Sequence, residues 1–364
     1  MKAVIVGGGI IGASVALELA RSGVDVTIVE RTAIGAEASS AAAGMLAPQL
    51  EASGPGPFLD LMLRSRAMYA SWVAQVQALS GLDVAYLPSG VLQVAFDDAQ
   101  LHALEATVAW QRASGLRASL LTSEETRHRE PALSGQIVGA AHLPDDHQVD
   151  PAALMRSLAK ALSESGVMLL IGTVREIVRT QGRATGVQVD DGRVLSADVV
   201  VLAAGAWSST VKDGLRPEAQ IGPVRGQILS LTTPSPVVSH IVKGPSGYLV
   251  PRGGGRVIVG STMEHVGYDT STTGEARKAL LGAAHAMAPA LTSATVESHW
   301  AGLRPGSKSP MIGESGTTGL LLATGHFRNG VLLAPVTAKL IGQLVRGEPP
   351  AVDLAPFRIS QRTP

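Results

Sequence analysis

The stretch VIVGGGIIGASVALELARSGVDVTIVE, residues 4–30, decides the fold of this chain. Gly7, Gly9 and Gly12 within it satisfy the pattern G-x-G-x-x-G. In that pattern one glycine allows a tight turn, one lets the backbone approach a pyrophosphate, and one packs a helix against a strand. A glycine triplet alone is a weak signal, so its meaning depends on the residues around it.

The residues around the triplet predict two buried strands joined by a helix. AVIV at 3–6 and DVTIV at 25–29 are apolar runs of strand length, and the helix between them has one apolar face. Glu30 follows Gly12 by eighteen residues (30 − 12), where a carboxylate can accept hydrogen bonds from an adenosine ribose. The stretch therefore predicts a Rossmann-like βαβ unit whose helix N-terminus faces the phosphates of a dinucleotide.

The first twenty residues also look like a signal peptide, because a basic start precedes an apolar centre. Cleavage near Ala16 would destroy the βαβ unit, whose acidic residue lies further downstream. We therefore expect this segment to remain part of the folded protein.

Composition narrows the class of protein. Of 364 residues, 45% are hydrophobic and 16% are charged, which allows two sizeable cores. Thirty basic residues balance thirty acidic ones, so we expect no nucleic-acid partner, and no apolar run is long enough for a transmembrane segment. The absence of cysteine excludes disulfides, thiolate metal sites and a cofactor bonded through sulfur. We expect a cytoplasmic protein that acts on small molecules.

The segment after Glu30 helps to choose between two dinucleotides. RTAIGAEASSAAAGMLAP, residues 31–48, is rich in small residues and holds two hydroxyls, Ser39 and Ser40. An NAD dehydrogenase usually returns to a crossover helix at this point, whereas small residues let the backbone approach a flat ligand closely. The composition favours FAD, although a flexible loop remains an alternative from the residues alone.

Two kinds of strand alternate along the rest of the chain. VVVLAA (199–204) and GLLLATG (319–325) are apolar throughout, which is typical of parallel strands covered on both faces. GVLQVAF (90–96) and the region 225–260 alternate between apolar and polar residues, which is typical of an antiparallel sheet. Helices are predicted at about 57–79, 98–113, 151–165, 275–288 and 331–346, with a short one after a possible capping box at Thr122.

This alternation predicts an α/β protein in which a Rossmann-like FAD-binding domain is interleaved with an α+β substrate domain built on an antiparallel sheet. The expected FAD-binding domain comprises residues 1–85, 145–220 and 302–364. The expected substrate-binding domain comprises residues 86–144 and 221–301.

The turn GHFRNG, residues 325–330, places polar side chains between two apolar runs. Burying donors without partners costs roughly 1 to 3 kcal/mol per group, so this turn is expected to bind something. A different polar cluster, Asp145, Asp146, His147 and Asp150, could supply metal ligands, but turn residues before a helix explain it better, and we predict no metal site. The chain has no G-x-S-x-G motif, so serine hydrolase chemistry has no support.

The chain resembles the FAD-dependent amine and amino-acid oxidases of the D-amino-acid oxidase superfamily, and within it the bacterial glycine oxidases. Seven motifs carry the resemblance, and they span almost the whole chain in order: GGGIIG (7–12), SSAAAGMLAP (39–48), VVVLAAGAWS (199–208), GYLVPR (247–252), VGSTMEHVG (259–267), WAGLRPGS (300–307) and GHFRNGVLLAP (325–335).

The resemblance implies non-covalent FAD and a set of residues that hold it. Those for the adenosine and phosphate half are Gly7, Gly9, Ile10, Ile11, Gly12, Glu30, Arg31 and Val174, with Ala204, Gly205 and Trp207 as a second contact. Those for the ribityl chain and the isoalloxazine are Ser39, Ser40, Ala43, Gly44, Met45, His326, Phe327, Asn329, Gly330, Val331 and Leu332. In the family the last helix points its N-terminus at the flavin. Pro335 fits a helix that begins nearby, because proline is tolerated in the first turn.

The resemblance also implies a substrate site. Arg304 would bind a carboxylate, Tyr248 would hydrogen-bond the same group, and Arg328 and Met263 would lie beside them. The residues alone leave other interpretations open: Arg304 could be a surface arginine after a turn, and Tyr248 a packing aromatic.

The activity implied is oxidative deamination of glycine or another small amino acid or N-methyl amino acid. The hydride on Cα would pass to flavin N5, giving an imine, then a 2-oxo acid and ammonia, with O2 reduced to H2O2. The product would serve thiamine thiazole synthesis, and the chain would form a homo-oligomer. Alternatives are a quinone-linked D-amino-acid dehydrogenase, a non-catalytic flavin-carrying subunit and an NAD dehydrogenase. Monomeric sarcosine oxidases attach flavin through cysteine and use a lysine near the ring, and this chain has no cysteine and no lysine in GSTMEHVG.

Overall fold

The computed structural model describes residues 1–217 and 219–359. The strands are β1 (Lys2–Val6), β2 (Asp25–Glu30), β3 (Met45–Leu46), β4 (Val91–Ala95), β5 (Ser119–Thr122), β6 (Gly139–Leu143), β7 (His147–Gln148), β8 (Met168–Ile171), β9 (Val174–Thr180), β10 (Arg183–Val189), β11 (Val194–Ser196), β12 (Val199–Leu202), β13 (Gly222–Thr232), β14 (Ile241–Gly244), β15 (Gly247–Pro251), β16 (Arg256–Gly260), β17 (Thr295–Gly306), β18 (Met311–Glu314) and β19 (Leu320–Thr324). The helices are α1 (Ile10–Arg21), α2 (Ala38–Ala41), α3 (Pro48–Glu51), α4 (Pro57–Ser80), α5 (Asp98–Ala113), α6 (Ser123–Arg129), α7 (Pro151–Glu164), α8 (Gly274–Met287) and α9 (Gly330–Val345).

A six-stranded sheet forms the centre of the dinucleotide-binding unit, in the order β18-β19-β12-β1-β2-β8. Strand β12 pairs in parallel with β1, and β19 pairs in parallel with β12, which confirms that VVVLAA and GLLLATG rejoin the first sheet. Strand β18 was not predicted and pairs antiparallel to β19 at the edge. Helices α1, α4, α7 and α9 contribute to one core cluster, and the three-stranded sheet β11-β10-β9 contributes to a second.

An eight-stranded sheet, in the order β17-β13-β16-β15-β14-β4-β6-β5, forms the second large layer. Its neighbours are antiparallel as predicted, except that β4 and β14 run parallel. The exception arises because β4 belongs to an earlier chain segment and does not join β14 through a hairpin. Strand β17 continues to Gly306, so the expected boundary after residue 301 falls inside a strand. The division into two interleaved domains stays a prediction.

The helix predictions agree closely with the structure, and local signals explain why. Helix α4 ends at Gly81, which has the left-handed φ of 69° that glycine adopts without strain. Helix α6 begins with a complete capping box, in which Thr122 and Glu125 each accept the other's backbone N–H. Within the described ranges, none of the helices combines the length and apolar character needed to span a membrane.

The position of Pro335 differs from the prediction, because α9 begins at Gly330 and the proline lies five residues later (335 − 330), beyond the first turn. A proline there removes the N–H that would bond the carbonyl four residues earlier. Two hydroxyls of α4 compensate. Tyr69 Oη donates to Val331 O at 3.1 Å and Ser65 Oγ donates to Leu332 O at 2.6 Å.

Candidate cofactor and substrate site

One cavity of about 610 Å³ extends from the carboxyl ends of β1 and β2 to the face of the eight-stranded sheet. Its volume is within the range of ligand pockets, and the carboxyl edge of a parallel sheet is where doubly wound folds bind ligands. We call the end lined by the glycine-rich turn the nucleotide end, and the end lined by Tyr248 and Arg304 the substrate end, after the ligands that the sequence leads us to expect there.

The glycine triplet shapes the nucleotide end as its pattern predicts. Gly7 has a φ of 102°, and a Cβ there would lie 2.6 Å from Ala203 O. A Cβ on Gly12 would lie 2.0 Å from Gly7 O, so Gly12 lets α1 pack against the turn and does not itself line the cavity. Gly9 lines the cavity where α1 begins. The triplet therefore leaves the start of a helix open to the cavity.

Ser39 and Glu30 hold the backbone around this opening. Ser39 Oγ accepts the N–H of Ile10 at 2.8 Å, which docks the small-residue segment onto the start of α1. Glu30 lines the cavity, and its Oε2 accepts the N–H of Gly8 at 2.7 Å. Ser40 is half-buried and lies outside the cavity lining, so of the two hydroxyls only Ser39 borders the cavity.

Aromatic and cationic groups close the far side of the nucleotide end. The Arg31 guanidinium carbon lies 3.9 Å from the Trp207 ring centroid, a cation–π distance, and Tyr268 stacks on the same ring with centroids 5.5 Å apart. Val174, at the start of β9, lines the cavity with them. Arg31, Trp207 and Val174 thus converge as the resemblance implies.

Arg304 lies at the substrate end on β17. Its Nη1 donates to Thr262 O at 3.1 Å and its Nη2 donates to Ser261 Oγ at 2.8 Å. The guanidinium crosses the neighbouring strand at Gly226, where a Cβ would lie 2.1 Å from Nη2. Burial is the main cause that lowers the pKa of Arg304, yet an arginine stays protonated at neutral pH. This is a half-buried cation held against the cavity wall.

Tyr248 also lies against a glycine of the neighbouring strand, as Arg304 does. It lies opposite Gly260 in the β15–β16 register, and a Cβ on that glycine would lie 2.3 Å from the phenol oxygen. Burial raises the pKa of Tyr248, although Ser261 and Arg304 oppose the shift. The phenol is therefore neutral at ordinary pH and able to donate a hydrogen bond.

Arg328 is held by a carboxylate that the sequence did not indicate. Its Nη2 lies 2.6 Å from Glu51 Oε2, and both residues line the cavity. Glu51 ends α3, whose first turn is fixed by the buried Asp146, which accepts the N–H of Leu50 at 3.0 Å and pairs with Arg66 at 2.9 Å. Asp146 is thus a structural residue, and no group of side chains in the described residues could hold a metal ion.

The polar turn GHFRNG borders the cavity, and two of its polar side chains, His326 and Arg328, have protein partners. His326 Nε2 lies 3.0 Å from Thr337 Oγ1, and burial lowers the pKa of His326 to about 3, so the ring is neutral. Arg328 has Glu51. Other residues of the protein therefore supply part of the binding that was expected of these polar side chains. The backbone of the turn forms part of the cavity wall.

Four predicted site residues do not line the cavity: Gly12, Ser40, Met263 and Leu332. Met263 is 61% exposed because it sits on the loop after β16. Leu332 is 1% exposed because its side chain packs in the core cluster on the helical side of the sheet. Sequence reasoning missed Lys243, Glu51, Ser261 and Ile228, which do line it. Lys243 could have been predicted only from the register of β14 against β15, in which it lies opposite Tyr248.

The family is shown by comparison with known proteins. The model of the family described as FAD dependent oxidoreductase matches residues 2–344. This chain belongs to that family of FAD-dependent oxidoreductases.

Individual relatives agree with the family assignment. The bifunctional protein ThiO/ThiG of Synechocystis is 38% identical over 94% of this chain, and glycine oxidase of Geobacillus kaustophilus is 32% identical over 98% of this chain and 96% of its own length. The crystal structure of the Geobacillus glycine oxidase superposes with a TM-score of 0.94 at 32% identity, covering 100% of this chain and 99% of the other. The chain spans 51% of the Synechocystis protein, about half its length.

The residues present fit FAD, the cofactor of the family. Gly9 lines the cavity without a side chain, and a Cβ there would come within 3.1 Å of Ser39 Oγ and narrow the opening at the start of α1. A pyrophosphate needs this access to helix N–H groups. The carboxylate of Glu30 lies at the end of β2, where a ribose is bound in dinucleotide folds.

Proposed function

We propose that this chain is an FAD-dependent oxidase that deaminates glycine or another small amino acid or N-methyl amino acid. The observation that carries the proposal is that Arg304 and Tyr248 line one end of a cavity whose other end is the glycine-rich turn. The identity of 32% to a glycine oxidase over nearly both full chains supports the choice of substrate.

Each half of the cavity receives a role in this proposal. Gly7, Gly9, Ile10 and Glu30 would hold the adenosine and pyrophosphate, together with Arg31, Val174 and Trp207. The small-residue segment from Ala43 to Met45 and the turn from His326 to Val331 would hold the reactive half of the cofactor. The positive end of α9, which begins at Gly330, would favour negative charge beside it.

The chemistry that FAD supplies when bound is acceptance of a hydride from the carbon beside the amine, after which O2 takes both electrons and becomes H2O2. The protein's own residues orient the amino acid. Arg304 would bind the carboxylate through two parallel hydrogen bonds, and the neutral phenol of Tyr248 would donate a third. A fixed orientation of this kind lowers the barrier without a side-chain base. The imine formed from the substrate then takes up water and yields a 2-oxo acid with ammonia, or with methylamine when the substrate is an N-methyl amino acid.

An oxygen-electrode assay tests the proposal. The purified protein with its bound flavin is given glycine, sarcosine and D-alanine, and oxygen uptake, H2O2 and ammonia are measured together. For glycine the proposal expects O2 consumed, H2O2 formed and ammonia released in equal amounts, and for sarcosine it expects methylamine in place of ammonia. Absence of turnover with every amino acid, despite bound FAD, would favour the non-catalytic flavin-carrying subunit.

We further propose that the product serves the thiazole branch of thiamine synthesis. The support is the 38% identity to a protein named ThiO/ThiG, of whose length this chain matches 51%. Deleting the chromosomal copy should produce a thiamine requirement under aerobic growth, which the intact chain restores and Arg304→Ala does not. Normal growth of the deletion strain without thiamine would remove the link but leave the oxidase proposal standing.

A further inference from the structure

Lys243 is a cation at the substrate end of the cavity that the proposed reaction does not use. It lies on β14 directly opposite Tyr248 of β15 in the antiparallel register. Residues opposite each other on neighbouring strands project from the same face of a sheet. Both side chains line the cavity, so Lys243 shares the wall that carries Tyr248 and is remote from the glycine-rich turn in the fold.

The charges at this end do not balance. Three cations, Lys243, Arg304 and Arg328, line it with one carboxylate, Glu51. Glu51 is paired with Arg328 at 2.6 Å. Among the ion pairs of the described residues none includes Lys243, whose Nζ instead donates to the carbonyl oxygen of Gly244. One substrate carboxylate on Arg304 would therefore leave a second cation unmatched.

The environment of Lys243 makes this imbalance costly. The residue is half-buried, and burial followed by the charge of Arg328 lowers the pKa of Lys243, with Glu51 opposing only in part. A partly desolvated cation gains more from an anion than a solvated one does. A carboxylate that enters the cavity from solution would supply that anion.

We propose that Lys243 binds a second carboxylate of the substrate, so that the site selects dicarboxylic amino acids over the neutral ones that lack only this carboxylate. The inference rests on the proposed function, because it assigns a substrate class to the same cavity. A carboxymethyl group would carry the second carboxylate, attached to the α carbon in D-aspartate or to nitrogen in N-carboxymethylglycine. Both place it a short distance from the carboxylate that Arg304 binds.

Steady-state kinetics on the flavin-loaded protein test this assignment. D-aspartate is compared with D-alanine, and N-carboxymethylglycine with sarcosine, in wild type, Lys243→Met and Lys243→Arg. For at least one pair, the kcat/KM of the diacid divided by that of its neutral partner should fall roughly 10-fold or more in Lys243→Met, because hydrogen bonds to charged groups are strong. The fall should come from a higher KM for the diacid. Lys243→Arg should retain most of the ratio, because it keeps the charge. The pair that responds identifies the source of the carboxylate.

A binding measurement separates recognition from turnover. Titration calorimetry of the same three proteins with malonate and with acetate should show a malonate affinity that falls in Lys243→Met and is retained in Lys243→Arg. Three results would overturn the inference: equal losses for diacids and neutral substrates, no change in malonate affinity, or a defect confined to the oxygen-dependent step. If the protein oxidises glycine but none of the diacids, the inference is overturned and the proposed function stands. If it oxidises no amino acid at all, the proposed function is overturned as well.

Discussion

Tyr69 of α4 donates a hydrogen bond of 3.1 Å from its phenol to the carbonyl oxygen of Val331 in α9. Pro335 stands where the N–H partner of that carbonyl would be. Both groups are buried, and the carbonyl lies in the helical turn that borders the cavity. A side chain from another helix therefore satisfies the backbone at the start of the helix proposed to face the flavin.

Tyr69→Phe should lower the free energy of unfolding by about 1 to 3 kcal/mol, because a buried carbonyl loses its partner. Urea denaturation measures the loss. Tyr268→Phe is the matched control, since its phenol also bonds a carbonyl but the residue is 44% exposed. Adding Pro335→Ala should reduce the cost of Tyr69→Phe, because an alanine N–H can bond Val331 O. An unchanged cost in that background would contradict this explanation of the bond.

Arg304→Lys should raise KM for glycine by roughly 100-fold while FAD stays bound, because lysine cannot form the two parallel hydrogen bonds of a guanidinium. The change in kcat should be smaller, since the interaction exists before and during the reaction. Arg193→Lys, at a half-exposed position on a surface turn, serves as the control. Equal KM values for wild type and Arg304→Lys would remove Arg304 from the carboxylate site.

Gly226→Ala should reproduce much of the effect of Arg304→Lys although it changes neither charge nor any hydrogen-bonding group. A Cβ at this position would lie 2.1 Å from Nη2 of Arg304, so the guanidinium must move. Gly222→Ala, on the same strand with no atom within 4 Å of its added Cβ, should leave KM for glycine unaltered. Similar kinetics for the two alanine variants would show that the strand does not position Arg304.

Asp146 should make stability depend on pH in an unusual direction. Burial raises the pKa of Asp146 from the ordinary value of 3.8 to about 7, although Arg66 and two backbone amides oppose the shift. Between these values the folded protein holds the proton more tightly than the unfolded chain does, so the contribution of this group to stability falls as pH rises. Relative to Asp146→Asn, wild type should lose roughly 1.4 kcal/mol per pH unit just above pH 5 and about half as much per unit near pH 7.

Urea denaturation at several pH values checks this slope. Asp145→Asn is the control, because Arg117 lowers the pKa of Asp145 and that group has no titration between pH 5 and 7. If the difference between wild type and Asp146→Asn were constant across the range, Asp146 would be charged throughout in the folded protein.

The sequence predicted the parts of this protein that local patterns control. The glycine triplet, the apolar runs and the capping residues determine β1, α1 and α6 through neighbours in the chain, so their predictions agree with the structure. Arg304 and Tyr248 were found through family motifs, because nothing in their local sequence distinguishes a buried ligand from a surface or packing residue.

The rest depends on which distant segments meet. Lys243 enters the cavity only because β14 pairs with β15, and Glu51 matters only because α3 lies beside the turn that carries Arg328. Met263 belongs to the same motif as Ser261, which lines the cavity, yet the side chain of Met263 is exposed on the loop. Register and loop conformation decide these cases, and neither follows from hydrophobic periodicity.

In the proposed reaction the cavity binds FAD, and the protein uses it to oxidise a small amino acid with oxygen as the electron acceptor. The most direct measurement is the absorbance of the purified protein mixed with glycine under nitrogen and then exposed to air. We expect the absorbance of the oxidised flavin to disappear with glycine and to return on contact with oxygen, with one H2O2 formed for each glycine consumed. A colourless protein that binds NAD, or a bleached flavin that only a quinone restores, would contradict this proposal.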